Sequence, residues 1–120
     1  MKAMGEFKAM LVEYIEKQAA WREEKAREYT EDARNGLCAA ALWELARYVA
    51  SLPDTHEQLL RIEAEHDDAG TGVFMPGEMS ASVISRFRFD TESAREAFDE
   101  FLRRLAGALA EDRRREADEE

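Results

Sequence analysis

Gly70-Thr71-Gly72-Val73-Phe74-Met75-Pro76-Gly77-Glu78-Met79-Ser80-Ala81-Ser82-Val83-Ile84-Ser85-Arg86-Phe87-Arg88-Phe89-Asp90 is the stretch on which the fold turns. It is the only long segment of the 120-residue chain that does not read plainly as an amphipathic helix. Residues 77–87 admit two readings. As a helix, Pro76 takes the first helical position and Met79, Val83 and Phe87 share a face toward the last helix. As a strand, Val83, Ser85, Phe87 and Phe89 alternate with Ser82, Ile84, Arg86 and Arg88. Strand propensity is the better of the two. A lone hairpin without a sheet or a supporting helix is barely stable, however, so the helix is preferred. Val73-Phe74-Met75 is fenced by glycines in front and Pro76-Gly77 behind. These side chains, with Phe89, are either core or a surface for a partner.

The flanking sequence reads as helices. Met4, Phe7, Leu11, Tyr14 and Trp21 recur at helical spacing in a first helix over residues 3–29. That is about 40 Å of helix at 1.5 Å per residue, long enough to overhang a small domain. Gln18 and Lys25 interrupt the stripe around Trp21, which marks Trp21 as an anchor for a second subunit. Thr30 is the expected N-cap of a second helix that runs to Leu52 and stops before Pro53. Leu37, Ala41, Leu45, Tyr48 and Leu52 form its stripe, widened by Leu42 and Val49. Asp54 and Glu57 have capping-box spacing ahead of a third helix over residues 55–67, with Leu59, Leu60 and Ile62 as its apolar content. Asp90 is placed to cap a last helix carrying Ala94, Phe98, Phe101, Leu102, Leu105 and Leu109. Residues 111–120 are charged except for Ala117 and read as a solvated tail.

The expected fold is therefore all-α: an irregular bundle of four or five helices with a long N-terminal helix, in one domain over residues 1–110. The lesser alternative is α+β, with a short hairpin within 73–89. The expected core is Phe7, Leu11, Tyr14, Leu37, Ala41, Leu45, Tyr48, Leu52, Leu59, Ile62, Phe98, Phe101, Leu102 and Leu105.

A net charge of −10 disfavours general binding to nucleic acid or to an anionic membrane. Residues 30–69 hold nine acidic residues against three arginines and would suit a partner with a basic surface. Arg86-Phe87-Arg88-Phe89 interleaves aromatic and basic residues, as single-strand binders do, but neighbouring acids offset that field. The one cysteine, Cys38, lies in an apolar run and reads as a small buried hydrophobe. No stretch has the length of a membrane span or the pattern of a signal peptide, so a cytoplasmic protein is expected.

No catalytic set emerges. Glu63-x-x-His66 has the helical spacing with which two side chains chelate one metal in di-iron carboxylate bundles, though those bundles use it twice. A Glu-rich chain produces that spacing readily, so no cofactor is expected and a divalent transition metal on Glu63 and His66 is the alternative. The function expected is a non-enzymatic interaction module, an adaptor or regulatory subunit that forms a homo-oligomer. Trp21, Val73, Phe74, Met75 and Phe89 are its candidate interface. The alternatives are the helical metal-binding protein and an acidic inhibitor or antitoxin-like protein that captures a basic partner.

Overall fold

The computed structural model describes residues 5–66, 74–89 and 94–119. These form five helices, α1 (Glu6–Glu28), α2 (Ala33–Ser51), α3 (Glu57–His66), α4 (Glu78–Ser85) and α5 (Ala94–Glu119), with no strand among the described residues. The fold is an all-α bundle, and no described helix is long and apolar enough to cross a membrane. Residues 78–85 settle as the short helix, so the hairpin alternative is ruled out.

Helices α1 and α2 pack side by side as an antiparallel hairpin. Lys8, near the start of α1, reaches the end of α2, donating to the carbonyl oxygens of Leu52 at 2.6 Å and Ala50 at 3.4 Å. Arg22, near the end of α1, donates to Asn35 Oδ1 at 3.0 Å, near the start of α2. Helix α5 packs against both α3 and α4 in a second layer. Between the layers lie Leu11, Ile15, Leu42, Leu45, Val49, Ile62, Ile84, Phe101, Leu102 and Leu105, all at most 2% exposed. Each such side chain contributes roughly 1.5–3 kcal/mol by leaving water.

Several helix ends differ from the expectation, and the reasons are long-range. The N-cap of α2 is Asp32, not Thr30: its carboxylate accepts from the Arg34 amide at 3.0 Å and from the Arg34 guanidinium at 2.8 Å. Those Arg34 hydrogen bonds hold the Asp32 carboxyl down at about 2. Asp54 does not cap α3. It accepts from the Gly5 amide at 2.9 Å and pairs with Lys8 at 3.3 Å, tying both ends of the hairpin's open side. His56 takes over the cap, its Nδ1 accepting from the Gln58 amide at 3.2 Å. Helix α4 begins at Glu78 rather than Pro76, behind Gly77.

Two further expectations are corrected. Leu37, placed in the core by its stripe, is 61% exposed; the inward face of α2 begins at Cys38 and keeps the expected Ala41, Leu42, Leu45 and Val49. The last helix does not end near Ala110. It continues to Glu119, and Asp112, within the stretch read as tail, is only 9% exposed. The Asp112 carboxylate accepts from the Met79 amide at 3.0 Å, the Ser80 amide at 3.1 Å and the Ser80 hydroxyl at 2.8 Å. It thus caps α4 from another helix, where Gly77 has no side chain to do so. The remaining charged residues from Arg113 to Asp118 are exposed, as a solvated face would be.

Candidate interaction surface

The apolar faces of α1 and α2 are covered along only part of their length. On α1, Tyr14 meets the ring of Phe74 edge-on at 5.5 Å. Trp21 stands seven residues further on, about two turns along the same face. On α2, Tyr48 stacks on Phe98 of α5 at 5.0 Å and donates its hydroxyl to Asp99. Leu37 stands eleven residues earlier, about three turns along that face. The second layer therefore covers Tyr14 and Tyr48 but stops short of the hairpin tip. There Trp21 is 47% exposed and Leu37 61% exposed.

The Arg22–Asn35 bond brings these two parts of the hairpin alongside each other. Trp43 lies on the other flank, where its indole donates to Glu23. Around Trp21 the surface is aromatic and cationic. The Arg22 guanidinium lies 4.9 Å from its ring centroid, and Lys25 Nζ lies 5.5 Å from it. Lys25 also lies 5.9 Å from the exposed Tyr29 ring and is anchored to Glu28 at 3.1 Å. Exposed tryptophan and tyrosine beside a half-buried arginine is a composition enriched at the centres of protein interfaces.

The other candidate interface residues fare differently. Phe74 is 1% exposed, so it is core and not surface. It stacks on His66 at 4.5 Å and meets Phe7 edge-on at 5.8 Å. Phe74 thus packs between α1, through Phe7 and Tyr14, and α3, through His66. Met75, next to it, is 68% exposed. Phe89 is partly buried, 4.9 Å from Phe98 and 6.0 Å from Phe87. Val73 lies outside the described residues.

Glu63 and His66 share α3, but His66 has other work. Its Nε2 accepts from the Met75 amide at 3.0 Å, and its Nδ1 is buried with no hydrogen-bond partner among the described residues. Glu63 is exposed, beside a small cleft of about 140 Å³ near Gly5, Lys8 and Asp54. Among the described residues, no three His, Cys, Asp or Glu side chains gather into a metal-holding group. Cys38 is buried and donates to the Ser85 carbonyl at 2.9 Å. Burial pushes its thiol up, while Arg22 and Arg88 pull the other way.

The polar interruptions around Trp21 anticipated its exposure. Sequence reasoning missed the exposure of Leu37 because stripe and neighbours alike look apolar. The available signal was that a second stripe, one residue out of phase, carries Cys38, Leu42 and Val49. No family model matches this chain, and no curated protein and no solved structure matches it either.

Proposed function

We propose that this chain is a non-enzymatic protein–protein interaction module, an adaptor or regulatory subunit of the cytoplasm that self-associates through the tip of the α1–α2 hairpin. The observation that supports it is the uncovered end of an otherwise covered apolar face, with Trp21 and Leu37 exposed together. A two-fold axis through the tip sets Trp21 of one copy against Leu37 of the other, with Arg22, Lys25 and Tyr29 at the rim. Stable dimers bury about 800 Å² per partner, so the tip residues would serve as its centre rather than its whole extent.

Sedimentation velocity over a concentration series tests this. Dimers should appear as concentration rises and should strengthen with salt, because two copies of a chain at −10 repel each other. Leu37→Glu should abolish the dimer and leave the helical circular dichroism unchanged. A wild-type chain that stays monomeric at high concentration and high salt overturns the reading.

A further inference from the structure

A second feature lies away from the hairpin tip, in the cleft between α4 and α5. Its volume is about 390 Å³, within the range of small-ligand sites, which starts near 300 Å³. Its floor is Val83, Phe87 and Phe101, and its rim carries Arg86, Arg88 and Arg104. Phe87 and Phe101 are held in place edge to face at 4.8 Å, so the floor is rigid and apolar. Among the described residues, the only acidic one lining the cleft is Glu100. Its carboxylate is engaged mainly with Arg103 at 2.8 Å and lies 3.7 Å from Arg104.

Arg86 and Arg88 are exposed and make no ion pair among the described residues. Asp32 feels the charge of Arg88, but Arg34 already holds both of its oxygens. Three arginines thus line one apolar hollow of a chain that is strongly acidic overall. A guanidinium binds a carboxylate through two parallel hydrogen bonds, and the apolar floor calls for a hydrocarbon or aryl tail. The alternating Arg-Phe-Arg-Phe run does not present a base-stacking platform: Phe87 is 8% exposed, and Phe89 packs on Phe98.

We propose that the α4–α5 cleft binds a small amphipathic carboxylate, with its tail on Phe87 and Phe101 and its head on Arg86, Arg88 and Arg104. The interaction is separate from self-association, and each can fail alone.

Octanoate, octanol and octylammonium share a tail and differ in head group, so they serve as probes. Each is titrated, below its micellar concentration, into the full chain while backbone amide NMR signals are followed. Octanoate should shift Val83, Phe87, Ala97 and Phe101 to saturation. Octanol should bind the same residues about tenfold more weakly, and octylammonium more weakly still. Replacing both exposed arginines, Arg86→Gln with Arg88→Gln, should bring octanoate down to the level of octanol and leave octanol unchanged. Three results overturn the proposal: octanol binding as tightly as octanoate, octanoate shifting only residues outside the cleft, or an unaltered octanoate affinity in the double variant.

Discussion

Replacing Asp112 with alanine isolates a single contact between the last helix and α4. The wild-type carboxylate satisfies two orphan amides at the start of α4, those of Met79 and Ser80, and the hydroxyl of Ser80, which is 0% exposed. Losing an N-cap costs roughly 0.5–2 kcal/mol. Leaving the buried Ser80 hydroxyl without its acceptor adds about 1–3 kcal/mol, and the two losses overlap. The expected total is about 2–4 kcal/mol, or a fall in Tm of roughly 10 °C for a chain of this size. Asp112→Asn, which keeps one acceptor oxygen, should lose about half as much. Gly77→Ala should resemble Asp112→Ala, because a Cβ at Gly77 would lie 2.5 Å from Asp112 Cγ and push the carboxylate away. Since both changes break the same contact, the double variant should be little worse than either single one. Urea unfolding followed by circular dichroism measures all four. Truncation is the sharpest comparison: ending the chain after Ala110 should destabilise at least as much as Asp112→Ala, whereas ending it after Glu116 should be nearly neutral. If Asp112→Ala lies within about 0.5 kcal/mol of wild type, the cap has no energetic weight and the reasoning fails.

Lys8→Met should cost roughly 1–3 kcal/mol in the same urea assay, because it leaves the terminal carbonyls of α2 without their donor while its stem still packs. A cost near zero would mean that water replaces the ammonium. Cys38 should react with a thiol reagent far more slowly in the folded chain than in urea, since both burial and a raised thiol pKa disfavour the thiolate. The same shift has a sign for stability. A thiol raised in the folded state contributes fully below its unfolded value of about 8.5, and that contribution is lost as pH rises beyond it. Burial raises Tyr14 and Tyr48 as well, so the decline should steepen above about pH 10. Cys38→Ala should flatten only the earlier part of an alkaline stability profile; an unchanged slope there would refute the assignment.

How far the fold could be read beforehand depended on whether its determinants were local. The preference for a helix over residues 77–87 held, since a strand there had no sheet to join. Leu59, Ile62, Phe98, Phe101, Leu102 and Leu105 were legible as core from periodicity alone, and they are buried. Tyr14, Tyr48 and Leu52 are only partly so. What periodicity could not carry was competition between distant partners. Asp54 has a good local capping position, yet Gly5 and Lys8 take it, and His56 fills the vacancy. Asp112 sits in a run of charges whose bland reading is solvation, and only the approach of α4 gives it a role. At the candidate surface, Trp21 could be singled out from its neighbours, but Phe74 could not be separated from Met75. The two are adjacent and similarly apolar, and one is buried while the other is exposed.

The distance along the chain between Ser80 and Asp112 also sets an order of events during synthesis. The bond from Arg22 to Asn35 closes over 13 residues and that from Trp43 to Glu23 over 20, so the hairpin can assemble from a short nascent segment. The cap of α4 lies 32 residues downstream of Ser80, so it is made after the hairpin and after α4 itself. Until it arrives, α4 has bare amides at its start, those of Met79 and Ser80. A chain truncated just before Asp112 should therefore be cut by protease within residues 74–89 while its hairpin resists, because the contact that caps α4 is missing.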